Sequence, residues 1–430
     1  MRTTEIVFGL ALVMLPCAMS FAADLPSDRP LTLTDCIRHA LSNHNNVLAA
    51  ERDAESSRAA TRQARSGYLP RLGVSSGYAQ SGYEGGQTGS TQIRTGTFTN
   101  DRTILSVTET LYDGGLTRMA IRQAAASERS SIANLELARQ QRVLIVTEAY
   151  FDALLTSRLA DIAAQTVDEA EKQLEMIRAK IDAGDAARVD IYPVEVQLAN
   201  AKLDRIRADN DVRVAANSLR NAVGLGRGPA LTIADVSDPR PDIPTLDASL
   251  ARAMTDRPEA AGALAQVESA KAGLSYARSQ TYPVPTASAS YDYGLIGELD
   301  NRWSVGVALN LNIWDGGAAQ AEVDGSRARL DSVSMKSEQL LRDISAEVEE
   351  AHLNVTTAFE RLKAGAASVE LARTNLEVAK EKYMQEMAIP LEITSAQTAY
   401  ADARAQHARA LYDCYVAQAR LDRAVGKRGY

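Results

Sequence analysis

Histidines, cysteines and paired carboxylates are the side chains best suited to chemistry, and none of them stands here in a working pattern. The four histidines, His39, His44, His352 and His407, lack metal-ligand spacing. His39 and His44 are five apart, which puts them on different faces of a helix. Surface or helix-contact roles are expected for all four. Cys36 and Cys414 lie far apart, with no Cys-x-x-Cys and no Cys/His spacing. Zinc and dithiol redox chemistry therefore find no support. Buried free thiols are the first reading of this pair and a disulfide the second. There is no phosphate-cradling Gly-rich loop, no Gly-x-Ser-x-Gly and no pair of carboxylates in a cleft pattern. No enzyme, no cofactor and no metal are expected. What does recur is Asp-Gly-Gly, as Asp113-Gly114-Gly115 and as Asp315-Gly316-Gly317. Such an aspartate caps the amides that follow it, and the glycines permit a sharp turn. The chemistry of these residues is the steering of the chain.

The elements they steer are long. From Leu116 to Asp182 there is neither Gly nor Pro. A helix of that length reaches roughly 100 Å. The second Asp-Gly-Gly opens a similar run, Ala318 to Met387, with Gly325 and Gly365 as its weak points. Composition points the same way. Only 5% of the 430 residues are aromatic, and 45% are apolar. Alanine supplies roughly a sixth of the chain, well above average usage. A compact core of this size would want more large apolar side chains, which carry most burial energy. Close-packed rods need fewer. The net charge of −8 speaks against nucleic acid as a partner.

Residues 1–23 read as a secretory signal. Arg2 precedes the apolar stretch Ile6 to Leu15, Pro16 breaks it, and Phe21-Ala22-Ala23 offers small residues for cleavage. A membrane anchor and, through Cys17, a lipoprotein are the rival readings. Beyond this segment no apolar run is long enough for a membrane helix. A chain of this kind that spans a membrane must do so with strands.

The chain is duplicated. The stretch from Leu31 to Gln80 matches Pro244 to Tyr293 at a constant offset of 213, and the Asp-Gly-Gly motifs match at 202. The first repeat is expected at 24–223, with a helix (Thr34 to Ser66), a β-hairpin (71–112), a long helix (116–182) and a return helix (189–223). The second is expected at 245–430, with a helix (Asp247 to Ser279), a hairpin (284–314), a long helix (318–387) and a return helix (391–425). Thr34 and Asp247 are the expected N-caps. Residues 224–244, rich in Pro, form a connecting segment. In the second hairpin Trp303, Val305, Val307, Leu309, Leu311 and Ile313 alternate with small or polar residues. That is a strand with one apolar and one polar face, of a length that crosses a bilayer when tilted. The first hairpin repeats it through Leu105, Val107 and Leu111, with Glu109 on the apolar face. Its loop, Gln80 to Arg102, is the longer by 11 residues.

These features, in this order, resemble the TolC-like outer-membrane factors of Gram-negative bacteria. The carriers are Leu31-Thr32-Leu33-Thr34, Tyr68-Leu69-Pro70, Leu111-Tyr112-Asp113-Gly114-Gly115, Glu148-Ala149-Tyr150-Phe151-Asp152 and Ala183-Gly184. The resemblance covers essentially the whole mature chain. It implies an α+β membrane protein: a homotrimer with four strands per chain in a shared 12-stranded barrel and a coiled-coil tunnel across the periplasm. It implies a passive exit duct in the outer membrane, for small-molecule efflux or type I protein secretion. The implied partners are a periplasmic adaptor, an inner-membrane pump of RND or ABC type, and outer-membrane lipid. The rival from another class is a structural coiled-coil spacer or surface adhesin.

The resemblance also places a gate at the periplasmic tip. Tyr383 keeps the family's tyrosine. Glu392 falls where one of two lumen acids is expected, and Ser395 where the other is. Ala388 and Glu386 replace the family's tip arginine and glycine, and Pro390 is added. Glu392 has two readings of equal weight. One is a ring of three carboxylates that favours cations; the other is a first-turn acid on its own helix. Asp190 has the same two, with the helix-start role preferred. Gly184, Arg188 and Met387 are the expected adaptor-docking residues.

Overall fold

The computed structural model describes residues 29–83, 87–88, 91–92, 96–226, 228, 231–236, 243–296, 302–385 and 387–427. The expected signal lies outside these residues, as do Glu386 and parts of 224–244.

Each repeat opens with a broken helix. In the first, α1 (Leu33–Asn43) is followed by α2 (Asn45–Arg65); in the second, α5 (Leu246–Asp256) is followed by α6 (Pro258–Ser279). The unbroken helices expected over Thr34–Ser66 and Asp247–Ser279 are therefore corrected. The breaks fall at His44 and Arg257, both in extended backbone. At His44 the imidazole Nδ1 accepts from Asn46 N at 3.2 Å and so restarts the helix. At Arg257 the cause is Pro258, which lacks an N–H and disfavours helical backbone before it. The N-caps also differ from Thr34 and Asp247. Thr32 Oγ1 accepts from Asp35 N at 3.3 Å while Asp35 accepts from Thr32 N at 3.2 Å, a reciprocal capping box. Thr245 Oγ1 accepts from Ala248 N at 3.4 Å.

Four strands form one antiparallel sheet in the order β1 (Arg71–Tyr83), β2 (Gly96–Thr110), β3 (Val284–Ile296), β4 (Arg302–Asn310). β2 and β3 join the two hairpins, with Leu105 opposite Tyr291 and Val107 opposite Ala289. β4 stops at Asn310, opposite Val284. The alternation had pointed to a strand as far as Trp314. Pro283 precedes β3, which begins only at Val284, so among the described residues Leu311 to Trp314 have no strand partner. Among the described residues the outer edges of β1 and β4 are unpaired.

From the sheet run two rods, α3 (Leu116–Ala183, 68 residues) and α7 (Ala318–Met384, 67 residues). At 1.5 Å per residue each is about 100 Å long. α7 passes through Gly325 and Gly365 unbroken and ends at Met384, short of the expected Met387. The return helices are α4 (Ile191–Val223) and α8 (Pro390–Ala424). Near the sheet the helices pack in the order α2, α3, α6, α7; towards the other end the order is α4, α3, α8, α7. So α7 is an edge of the layer both near the sheet and towards the tip, with α5 packed against it midway. The opposite edge is α2 above and α4 below.

Two apolar clusters lie midway along the rods. One gathers Val146, Tyr150, Phe151 and Leu154 of α3 with Cys36, Leu219 and Tyr412. The other gathers Ile344, Val348 and Val355 of α7 with Cys414 and Leu421. Both cysteines are free and fully buried, and burial pushes the Cys36 thiol up to about 11. Beside the first cluster Leu31 pairs in parallel with Ile233, so the chain entering α1 and the connecting segment share a two-strand bridge. His39 Nδ1 lies 3.3 Å from Val223 O, and His352 Nε2 lies 3.0 Å from Pro244 O.

Candidate functional site

The sheet has two unlike faces, and register decides which residue is on which. Leu72 and Val74 of β1, Leu105 and Val107 of β2, Ala289 and Tyr291 of β3, and Trp303 and Val305 of β4 share one face. Their larger members stand exposed in the single chain; Trp303 is 76% exposed and Val305 73%. On the other face, Gly73, Ser106, Ser290 and Ser304 stand in one row. The Ser290 and Ser304 hydroxyls are 2.8 Å apart. An apolar outside and a hydroxyl-lined inside are what a strand needs between lipid and water. Glu109 falls on the apolar face, beside Ala287 near the rod end of the sheet. Among the described residues no helix is long and apolar enough to cross a membrane.

At the rod end of the sheet, both Asp-Gly-Gly turns have one geometry. Asp113 accepts from Gly115 N at 2.9 Å and from Thr117 N. Asp315 accepts from Gly317 N at 3.0 Å and from Ala319 N at 2.9 Å. Burial works to raise the Asp113 carboxyl, but the donors Thr117 and Gly115 hold it below its ordinary value. Gly114, Gly115, Gly316 and Gly317 all have positive φ, which side chains disfavour. At Gly114 a Cβ would also stand 2.8 Å from Tyr282 Cβ.

At the far end the two rods turn. Gly184, left-handed at φ 87°, ends α3, and Asp185 N donates to Lys180 O at 2.8 Å. Asp190 accepts from Ala187 N at 3.2 Å and closes the short turn that leads into α4. Tyr383, only 6% exposed, lies under Lys180, whose Nζ is 4.2 Å from the ring centroid. Burial, with a smaller push from the Asp190 charge, raises the Tyr383 phenol. The tip thus joins Lys180, Asp190 and Tyr383 across the two repeats. Lys180 was invisible in the sequence, because a lysine one turn before a C-terminal glycine is ordinary helix chemistry. Glu392 and Ser395 are not part of this group; both are exposed on the first turns of α8. The N-cap there is Ile389, which has no capping side chain, and Pro390 follows it. Arg188, Gly184 and Met387 are exposed around the turns. Buried beneath them, Gln173 Nε2 donates to Thr394 Oγ1 at 3.3 Å and ties α3 to α8.

A lipid-facing sheet at one end and a helical turn about 100 Å away restrict what this chain can be. The model of one family, "Outer membrane efflux protein", matches residues 36–225 and 250–427. The chain belongs to the outer membrane efflux protein family. It is similar to Nodulation protein T of Rhizobium leguminosarum bv. trifolii, 23% identical over 411 residues, which are 93% of this chain and 86% of that one. It is similar also to outer membrane efflux protein BepC of Brucella suis biovar 1, 23% identical over 377 residues, 85% of this chain and 78% of that one. Among solved structures the fold matches CusC, with a TM-score of 0.81 at 18% identity and 92% of each chain covered. This efflux protein has the TolC-like fold, with long helices and four antiparallel strands. It is an outer-membrane efflux channel of a Gram-negative bacterium, and not an enzyme. The spacer or adhesin reading falls with this assignment.

Proposed function

We propose that three copies close into one duct, which passes efflux cargo from an adaptor and an inner-membrane pump of RND or ABC type to the exterior. The observation that carries this is the coincidence of open edges. The sheet leaves β1 and β4 unpaired, and a bare strand edge in lipid is untenable. The helical layer is open on the same two sides. On α4 and the turn before it, Val189, Tyr192, Val196, Leu203 and Ile206 are exposed at steps of three, four and seven. On α7, Leu353, Leu371 and Val378 are exposed at heptad-compatible steps. These are two coiled-coil seams without partners among the described residues. Three copies would supply twelve strands, enough for a barrel with a water-filled lumen.

In that duct the repeats 24–223 and 245–430 supply one hairpin and one rod each, with 224–244 as connector. The tip is the gate. Asp190 and Tyr383 set its closed packing, and Glu392 and Ser395 stand at the narrow lumen. Gly184, Arg188 and Met387 form the exposed docking ends for the adaptor. The test is the mass of the detergent-solubilised protein together with its conductance in planar bilayers. A trimer that conducts, and that loses cation preference in Glu392→Gln, is expected. A monomer without conductance would sink the duct. A conducting trimer with unchanged selectivity would return Glu392 to its helix.

A further inference from the structure

The inner face of the sheet has a sign. Read by register, it holds Arg71, Gly73, Ser75, Gly77 and Ala79 on β1, and Arg102, Ile104, Ser106, Thr108 and Thr110 on β2. On β3 it holds Thr286, Ser288, Ser290 and Asp292, and on β4 Arg302, Ser304, Gly306, Ala308 and Asn310. The charged members are three arginines against one aspartate. Asp292 is engaged by Arg102, Nε to Oδ2 at 3.2 Å. Arg302 stands opposite Asp292 in register, with its side chain exposed. Among the described residues no carboxylate lies within ion-pair distance of Arg302 or Arg71. Around them the wall is low. A Cβ at Gly77 or Gly306 would meet nothing within 4 Å. The guanidinium groups thus project from a surface that is mostly Gly, Ser, Thr and Ala, with Ile104 its one large apolar member in the rows named.

We propose that the barrel segment of the duct is an anion-attracting site, in which Arg302 and Arg102 engage multivalent anions such as polyphosphates or polycarboxylates, with Arg71 adding positive charge about 20 Å nearer the rods. The proposal rests on the closed-duct reading, which repeats each arginine around the lumen. Guanidinium groups bind phosphate and carboxylate oxygens through paired N–H donors and do not lose their charge. A ring of one sign in a low-dielectric wall concentrates counter-ions. Its reach is short, about 10 Å at 0.1 M salt, so it acts on ions inside the barrel and not on distant cargo. With Glu392 at the tip, the two ends of the duct carry opposite signs.

The experiment uses the full-length protein in planar bilayers at low salt, with inorganic tripolyphosphate added to the barrel side. Wild type is expected to show a reduction of current that fades as salt is raised. In Arg302→Gln, which leaves the Arg102–Asp292 pair intact, the apparent block weakens about tenfold, the scale of one lost charge contact repeated around a ring. Arg302→Lys keeps most of the block, and Asp292→Asn tightens it. Asp292→Asn keeps the question open to decision if Arg302→Gln does not insert. A conducting channel whose block is absent, or unchanged by both Arg302→Gln and Asp292→Asn, would overturn the anion site alone. A trimer that does not conduct would sink the duct and the anion site together, and the two failures are told apart by the current itself.

Discussion

Single side chains fix the middle of this molecule more firmly than its ends. Tyr150 is the clearest case. It is buried on α3, and its hydroxyl donates to Ala234 O at 2.6 Å, with Leu31 O sharing the proton at 3.1 Å. Burial pushes the phenol up to about 12, so it remains a donor at any physiological pH. Tyr150→Phe should cost about 1–3 kcal/mol, the cost of leaving buried carbonyls short of a donor. Thermal unfolding of the purified protein checks this, and an unchanged Tm would count against the bridge as a structural tie. The second case is ionic. Arg257, 3% exposed, donates to Glu259 at 2.7 Å and to Glu347 at 2.6 Å, and Arg423 donates to Glu347 at 2.6 Å. Burial alone would raise the Glu259 carboxyl, but the hydrogen bond and charge of Arg257 hold it below its ordinary value. A depressed acid contributes fully above its unfolded pKa and loses that contribution as pH falls through the folded one. Glu259→Gln should therefore be less stable at pH 7 by about 1–3 kcal/mol and lose less stability on acidification. Equal acid sensitivity in wild type and variant would exclude Glu259 as a source of it.

At the scale of elements, the duplication extends further than the motifs that reveal it. His44 and Arg257, the two helix breaks, are related by the offset of 213 that relates the first helices. Gly224 and Gly426, which end the return helices in left-handed backbone, are related by 202. Each glycine packs on the break of its own repeat: Gly224 against His44, Gly426 against Asp256 and Arg257. The break at His44 was not legible as a break, because Asn43 to Asn46 sit inside a run with good helical spacing; at Arg257 the local signal, Pro258, was outweighed by the helical spacing on either side of it. At His44 the imidazole cap is joined by packing on Gly224, the end of a much later helix, and at Arg257 Pro258 is joined by packing on Gly426. The hairpins and rods were legible, because alternation and the absence of Gly and Pro are local properties. A difference between repeats follows. A Cβ at Gly426 would stand 2.7 Å from Asp256 C, whereas at Gly224 the nearest atom is 3.5 Å away. Gly224→Ala pays only for left-handed backbone, about 1–2 kcal/mol. Gly426→Ala must also move main chain, so its loss of Tm should be clearly the larger. Equal losses would mean that the second repeat's cap yields freely.

At the scale of the molecule, the low aromatic content and abundant alanine describe a wall and not a core. Most large side chains that the single chain leaves exposed lie on the sheet's outer face, on the seams of α4 and α7, or at the tip. The proposed gate was only half legible from sequence for a related reason. Tyr383 was picked out by the family's tyrosine and Asp190 by its place in the first tip, but Lys180 joins them only because α3 and α7 end side by side. The seams yield the last prediction. Ile206 and Leu371 are 66% and 72% exposed, so neither supports the fold of its own chain. If α4 of one copy packs on α7 of the next, each buries an aliphatic side chain worth about 1.5–3 kcal/mol, once at every interface. Ile206→Glu and Leu371→Glu should then leave the helical signal and Tm of the isolated chain intact while the trimer dissociates in detergent. Leu264→Glu is the control: Leu264 is 62% exposed but lies on α6, which has a neighbouring helix of its own chain on each side. Trimers that survive both seam substitutions would place the subunit contact elsewhere and leave the open edges of β1 and β4 as the sole drive to close the ring.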